Sequence, residues 1–336
     1  MIERREPSAA AGSVYFRWSG TIMPCLASVR PTGSDRRPPL CVPIRPRRDG
    51  ERGSSLDPVR IFLHIPKTAG TTFSAILDRN VPRQETIDVY PLYGITVDEF
   101  RNLPDSVRSS ATCVKGHFDY GVHRELDRAF TYGTFLRRPE EQVRSRFNHA
   151  FSSRFHPLHR FARDVGTLAE FARKSPDNYQ TRTLLGDETL PGQNFPALTD
   201  QDLDRVRGNI EQHFDVVGIT ERFDESLVVF KRWWNLDDVR YVRRNVWRRS
   251  GRETAPLDNE TRRVLADHCR YDLVLYRWAE ERLDLQIREE KASFSEEVEA
   301  FRRANRRYSR WMWLPERLAE QVRRGQALLR YLDGWR

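Results

Sequence analysis

The sequence predicts an α/β fold, with a mostly parallel, P-loop-like sheet flanked by helices and a helical appendage at its C-terminal end. Three observations carry this prediction. The chain has 336 residues, 38% hydrophobic and 11% aromatic, which is enough for one large α/β domain with its own core. Hydrophobic runs of strand length alternate with helical stretches. The first run leads through a tight loop directly into a helix.

The predicted strands are short hydrophobic runs of the kind that form buried strands. They cover residues 59–65, 111–115, 130–136 and 215–220. The predicted helices cover residues 71–80, 139–151, 221–234 and 258–283. Pro139, followed by Glu140 and Glu141, is typical of a helix N-terminus. In a parallel sheet of this kind, ligands bind beyond the carboxyl ends of the strands.

Composition divides the chain into three parts. Residues 1–56 are rich in Arg, Pro, Ser and Gly without a sustained periodicity, which predicts a disordered segment. Residues 57–288 hold the α/β domain. Residues 289–336 are predicted to form a helical C-terminal extension with many Arg residues and a cluster around Trp311 and Trp313.

The charge balance favours an anionic partner. The formal net charge is +9 and the sequence pI about 9.6, which fits an anionic cofactor, a polyanionic acceptor or nucleic acid. The four cysteines are far apart and form no C-x-x-C pair, so we expect no metal site and a reducing compartment; a disulfide between Cys25 and Cys41 is the alternative for a secreted protein. No apolar run approaches the roughly 18 residues of a membrane span, and the first residues lack a signal-peptide core. We therefore expect a cytoplasmic protein.

The loop between the first strand and the first helix has the composition of an anion-binding cradle. Its sequence from His64 to Thr72 is His-Ile-Pro-Lys-Thr-Ala-Gly-Thr-Thr. Gly70 permits a close backbone approach, and the helix N-terminus offers N–H groups and a positive dipole end. Lys67 adds a charge, and three threonines add hydroxyl donors: Thr68, Thr71 and Thr72. A Walker A loop is excluded, because no glycine stands close before Lys67.

A second candidate anion site follows the strand at 130–136. Arg137 ends that strand, Pro139 begins the next helix, and Ser145 lies two turns into it. An Arg at a strand end and a Ser on the following helix can converge on one phosphate. The alternative interpretation is an ordinary solvent-exposed, Arg-rich helix start.

These motifs resemble those of the sulfotransferases that use 3′-phosphoadenosine 5′-phosphosulfate (PAPS), and most closely the branch of heparan sulfate 2-O- and 6-O-sulfotransferases with their bacterial relatives. The resemblance covers roughly residues 57–288 and implies the sulfotransferase fold, with PAPS as co-substrate and no required metal. It implies that the first loop, including Ala69, binds the 5′-phosphosulfate, and that Arg137 and Ser145 bind the 3′-phosphate. Arg138 departs from the pattern, since the family has Asp there.

The resemblance also implies in-line sulfuryl transfer to a hydroxyl, with His117 as general base and Lys67 stabilising the leaving phosphate. His117 follows the strand at 111–115, and we expect its pKa near 6.5 or somewhat above. His64 competes for the role but is expected to support the loop, and His123 is a third candidate. A lone His is more often structural than catalytic.

Two other functions remain open on the sequence: a nucleotide kinase or NTPase with an atypical P-loop, and a non-catalytic polyanion-binding protein. Nucleic-acid binding would need stacking aromatics or a known module, and neither is present in the sequence. The resemblance and the positive charge favour a carbohydrate acceptor, in particular an anionic glycan. Six arginines between residues 240 and 252 could contact either the nucleotide or such a glycan.

Overall fold

A computed structural model describes residues 57–90, 94–186, 196–242, 256–290 and 293–333. Apart from Pro196, these residues belong to one compact unit. The segment 1–56 is outside the described residues, so the disorder predicted for it and the domain boundaries stay predictions.

One five-stranded sheet organises the described chain. Its strands are β1 (Val59–Leu63), β2 (Thr86–Val89), β3 (Cys113–Gly116), β4 (Phe130–Leu136) and β5 (Phe214–Ile219). The order across the sheet is β2-β3-β1-β4-β5, and every neighbouring pair is parallel. The predicted mostly parallel α/β sheet is confirmed. Because all strands point the same way, their carboxyl ends meet at one edge.

Twelve α-helices lie in the described part of the chain, listed here in order: α1 (Gly70–Asn80), α2 (Val97–Arg101), α3 (Asp105–Ser110), α4 (Pro139–Ser152), α5 (His159–Val165), α6 (Leu168–Lys174), α7 (Tyr179–Leu185), α8 (Asp200–His213), α9 (Phe223–Trp233), α10 (Asn259–His268), α11 (Arg270–Glu289) and α12 (Phe294–Asp333). The predicted helical C-terminal appendage is confirmed by α12. Its first turns are tied to the domain, because Arg302 forms an ion pair with Asp224 at 3.2 Å. None of the helices in the described ranges is long and apolar enough to cross a membrane.

The core lies where α1 and α9 cover the central strands. Phe73 of α1 packs on Phe135 of β4 and Phe230 of α9, with ring centroids 5.2 and 4.4 Å apart. Trp234 closes the cluster and is fully buried. Gly133 of β4 makes this packing possible, because a Cβ there would lie 2.5 Å from the Trp234 ring. The close fit fixes how α1, and the loop before it, sit on the sheet.

The structure differs from the prediction in two places. The strand β2 was not predicted, because it is a four-residue edge strand that is only partly buried and gives too short a hydrophobic signal. The predicted helix 258–283 is two helices that meet at Cys269. The break has a clear cause: the side-chain oxygen of Asn178 accepts hydrogen bonds from the backbone N–H groups of Tyr271 and Asp272, at 2.8 and 3.2 Å. This caps a new helix N-terminus inside the predicted one.

Candidate active site

The loop after β1 presents unpaired backbone N–H groups at the carboxyl edge of the sheet. Lys67 and Ala69 have positive φ angles of 70° and 68°, a conformation that non-glycine residues rarely adopt and that is typical of functional loops. Left-handed residues of this kind turn successive N–H groups toward one concavity. Among the residues that the structure describes, the N–H groups of Thr68, Ala69 and Gly70 have no hydrogen-bond acceptor. The loop thus has the donors that an anion requires.

The threonines of the loop take different positions. The Thr68 hydroxyl donates to the Ile65 carbonyl at 2.8 Å, and the residue is only 1% exposed. This bond closes the turn, and Thr68 also offers its backbone N–H, so its predicted role in binding an anion stays a prediction. Thr71 and Thr72 form the first turn of α1, where the Thr72 N–H donates to the Ala69 carbonyl at 3.0 Å.

Gly70 is required by the position of His64. A Cβ at Gly70 would lie 2.0 Å from Cδ2 and 2.3 Å from Nε2 of the His64 ring. That ring is 4% exposed, stacks on Phe62 with centroids 5.6 Å apart, and its Nδ1 is 2.9 Å from the Tyr90 hydroxyl. The loop and the histidine therefore form one packed unit in which neither can move alone.

His117 lies beside this unit, one residue past the end of β3. Its Nδ1 is 2.7 Å from the His64 carbonyl oxygen, and its ring centroid is 4.3 Å from that of His64. A carbonyl only accepts, so Nδ1 carries the hydrogen, and in the neutral ring Nε2 keeps its lone pair. Burial lowers the pKa of His117 from 6.5 to about 4, although the hydrogen bond to His64 opposes this in part. The pKa near 6.5 expected from the sequence is too high because that expectation did not include burial.

The two competing histidines occupy other environments. Burial, with the nearby charges of His117, Lys115 and Lys67, holds the pKa of His64 well below its usual value. His123 bonds the Tyr132 hydroxyl through Nδ1 at 2.9 Å and stacks on Phe130, the first residue of β4. It therefore lies at the amino edge of the sheet, away from the loop.

The segment that contains Arg137 contacts the loop that contains Lys67. Arg137 follows β4, and its Nη1 donates to the Lys67 carbonyl at 3.2 Å. Helix α4 is attached as well, because Gln142 Nε2 donates to the Pro66 carbonyl at 2.9 Å. Ser145 lies one turn further along α4 and is half-buried, but no hydrogen bond joins it to Arg137 or to the loop within the described residues. The structure thus joins Lys67 and Arg137, and it leaves Ser145 nearby without a contact.

The backbone of Arg137 is held by helix α7. The Gln180 side chain accepts from the Arg137 N–H and donates to the Arg137 carbonyl, both at 2.9 Å. Helix α7 is held in turn by Asp272, whose carboxylate accepts from the N–H groups of Gln180 and Thr181 at 3.2 and 2.7 Å. Burial raises the pKa of Asp272 to about 6, although these hydrogen bonds oppose the rise.

Two residues near the loop were missed by the sequence analysis. Tyr90 follows β2 and packs edge-on against both His64 and His117, with centroids 5.7 and 4.9 Å away. His156 lies between α4 and α5, where burial and the charges of Lys67 and Arg146 lower its pKa to about 4. Neither stands in a recognisable motif, so only the fold could reveal them.

The described residues include many of the side chains of a type that could hold a metal ion, and the first arginine of the basic patch. The described residues contain no group of three or more His, Cys, Asp or Glu side chains that could hold a metal ion. Arg240, the first arginine of the basic patch, is paired with Asp238 at 2.8 Å. The remaining patch, from Arg243 to Arg252, lies outside the described residues.

Comparison with known proteins gives the enzyme class and then the family. Residues 18–323 match the family described as galactose-3-O-sulfotransferase. The parallel sheet with its anion-binding loop is therefore that of a sulfotransferase. The chain belongs to the galactose-3-O-sulfotransferase family, which implies PAPS as sulfuryl donor.

Two curated relatives agree with this family. The chain is similar to galactose-3-O-sulfotransferase 3 of Bos taurus and of Homo sapiens, with 29% identity over 216 residues in each case. The match covers 58% of this chain and 49% of each relative, so the chain spans about half the length of these relatives. The predicted resemblance to sulfotransferases is confirmed, but the branch is corrected: the match is to the galactose 3-O family rather than to the heparan sulfate 2-O- and 6-O-sulfotransferases. Membership of an enzyme family also argues against a kinase and a non-catalytic binder.

Proposed function

We propose that this protein transfers the sulfuryl group of PAPS to the 3-hydroxyl of a galactose residue in a carbohydrate acceptor. The family and the named activity of its two relatives support this acceptor. The observation that carries the mechanism is the 2.7 Å hydrogen bond from His117 Nδ1 to the His64 carbonyl. It fixes the tautomer whose Nε2 can take a proton, at the edge of the sheet where the anion-binding loop lies.

The residues of the first loop fit the 5′-phosphosulfate. Three unpaired N–H groups on Thr68, Ala69 and Gly70 provide donors, and Lys67 provides a full positive charge beside them. Arg137 and Ser145 would hold the 3′-phosphate. PAPS, when bound, supplies the sulfuryl group and a phosphate leaving group. Lys67 and the loop N–H groups then stabilise the negative charge that develops on that leaving oxygen.

His117 acts on the acceptor. Its Nε2 accepts the proton of the attacking galactose hydroxyl, while the His64 carbonyl keeps the opposite nitrogen protonated and stabilises the charge that the ring acquires. Because burial keeps the pKa of free His117 near 4, the ring is already neutral at physiological pH. His64 positions His117 and the loop, and does not touch the acceptor.

The test pairs turnover with nucleotide affinity. The purified protein is incubated with PAPS and a panel of galactosides, and products are identified by mass spectrometry. We expect sulfated galactosides from the native chain, loss of most turnover in His117→Ala, and an affinity for the product nucleotide PAP close to native in that variant. His123→Ala is the matched control and should keep its turnover. An active His117→Ala variant, or an absence of sulfated product from every galactoside, would contradict the proposal.

A further inference from the structure

Three polar side chains, one of them two residues after the candidate base, have polar atoms without a hydrogen-bond partner in the part of the chain that the structure describes. The Asp119 carboxyl group, two residues after His117, makes no hydrogen bond or ion pair with another described residue, and burial raises its pKa to about 7. The Tyr179 hydroxyl makes no hydrogen bond, and Nη1 of Arg146 is buried without an acceptor. Buried polar groups are nearly always satisfied, so the buried Nη1 of Arg146 without an acceptor, together with two half-buried groups that can bind a ligand, is what a ligand subsite requires.

The fold brings these three residues together from separate elements. The segment that carries Asp119 lies against α7, because the Tyr120 N–H donates to the Thr183 carbonyl at 2.9 Å. Tyr179 is one turn before Thr183 on the same helix, and the Thr183 hydroxyl donates to its carbonyl. The Arg146 guanidinium of α4 stacks over the Tyr179 ring, 4.0 Å from its centroid.

Electrostatics agree with this arrangement. Burial raises the pKa of the Tyr179 phenol, while the Arg146 charge lowers it and the Asp119 charge raises it further. Tyr179 therefore senses both neighbours. The cluster thus offers a carboxylate that accepts hydrogen bonds, a guanidinium N–H that donates one, and a phenol that can do both.

We propose that Asp119, Tyr179 and Arg146 form the subsite that binds the hydroxyl groups of the acceptor sugar beside His117, and that Asp119 makes this subsite selective for a sugar ring without a negative charge. The inference rests on the proposed galactose transfer and specifies which residues recognise the acceptor. Sugar hydroxyls are both donors and acceptors, so they satisfy all three groups at once. Above pH 7, where Asp119 is ionised, an anionic ring would place its charge beside the carboxylate.

The same charge separates this subsite from the nucleotide. The proposed phosphate contacts are N–H groups of the loop and the charges of Lys67 and Arg137, and the carboxylate beside them, Glu141, is paired with Arg137 at 3.8 Å. Asp119 would repel a phosphate oxygen, whereas it can accept two hydrogen bonds from adjacent sugar hydroxyls. The unpartnered cluster is therefore assigned to the acceptor.

Binding can be measured without turnover. Saturation-transfer NMR on the complex with PAP, using methyl β-galactoside as probe, should detect the sugar on the native chain. Asp119→Asn should weaken this binding about 10-fold or more, as expected for hydrogen bonds to a charged group, and Tyr179→Phe should weaken it less. The matched control is Asp164→Asn on α5, an exposed aspartate whose side chain is 70% accessible, and it should bind normally. PAP affinity should be unchanged in all three variants.

Selectivity supplies the second readout. At pH 8.5, where Asp119 is ionised, the native chain should bind the neutral galactoside more tightly than the same sugar carrying a sulfate on another hydroxyl, and Asp119→Asn should reduce that preference about 10-fold. The subsite proposal is overturned if the native complex does not bind the neutral galactoside, or if Asp119→Asn leaves both affinity and preference unchanged. Binding with the expected variant pattern but without sulfated product would refute the galactose transfer alone.

Discussion

Replacing Gly70 by alanine tests the packed unit that joins the anion-binding loop to the histidines. The added Cβ would lie 2.0 Å from His64 Cδ2, and ordinary contact begins at 3.4 Å, so the ring would have to withdraw by about 1.4 Å. Phe62 stacks on that ring and Tyr90 is bonded to it, so the space for withdrawal is already filled. Overpacking of this kind costs about 1–3 kcal/mol. Any movement of His64 also displaces the carbonyl that holds His117.

Urea unfolding, calorimetry with PAP and turnover together check this reasoning. Gly70→Ala should lower the free energy of unfolding by about 1–3 kcal/mol, weaken PAP binding and reduce turnover. Gly208→Ala is the control, because a Cβ in that position of α8 meets nothing within 4 Å. It should stabilise the helix by up to about 1 kcal/mol and leave PAP binding unchanged. Native stability and native PAP affinity in Gly70→Ala would show that the His64 ring does not constrain the loop.

Two further predictions concern the nucleotide and pH. Arg137→Ala should weaken PAP binding by about 1.5–3 kcal/mol, but it should weaken the binding of adenosine 5′-phosphosulfate, which lacks the 3′-phosphate, much less. Calorimetry measures both affinities, and Arg138→Ala at the exposed neighbouring residue is the control. Equal losses of affinity for the two ligands would contradict the role of Arg137 in binding the 3′-phosphate. Burial lowers the pKa of His123 to about 4. Below pH 6.5 the unfolded chain therefore binds a proton on this residue that the folded chain does not bind. The free energy of unfolding should fall as the pH decreases from 6.5 toward 4. His123→Phe keeps a ring over Phe130 but cannot titrate, so the free energy of unfolding, measured by urea titration, should fall less steeply with decreasing pH than in the native chain. The difference in slope should stay below about 1.4 kcal/mol per pH unit, because the native ring is partly exposed. An unchanged slope would refute the lowered pKa of His123.

The fold could be predicted where the hydrophobic signal was long. Strand β4 has seven consecutive buried residues and was predicted with its observed limits, whereas the four-residue edge strand β2 was missed. The break between α10 and α11 could not be predicted, because its cause is the side chain of Asn178, some ninety residues earlier in the chain.

The candidate site could likewise be predicted only where its residues lie close together in the sequence. The local motif around Lys67 and Gly70 indicated an anion-binding loop, since it lies within nine consecutive residues. The cluster of Asp119, Arg146 and Tyr179 has no local pattern, because its members come from three separate elements. The loop motif also could not distinguish branches of the sulfotransferases, since the role predicted for it is to bind the shared donor and not the acceptor.

The two hydrogen bonds between Gln180 and the Arg137 backbone depend on a residue that is synthesised much later in the chain. The loop, Arg137 and helix α7 all precede Asp272, the carboxylate that holds the start of α7 in place. While the ribosome has not yet released Asp272, Gln180 has no fixed position from which to hold the Arg137 backbone. If Arg137 binds the 3′-phosphate as proposed, we expect full affinity for the donor only after the helix that carries Asp272 has folded onto α7.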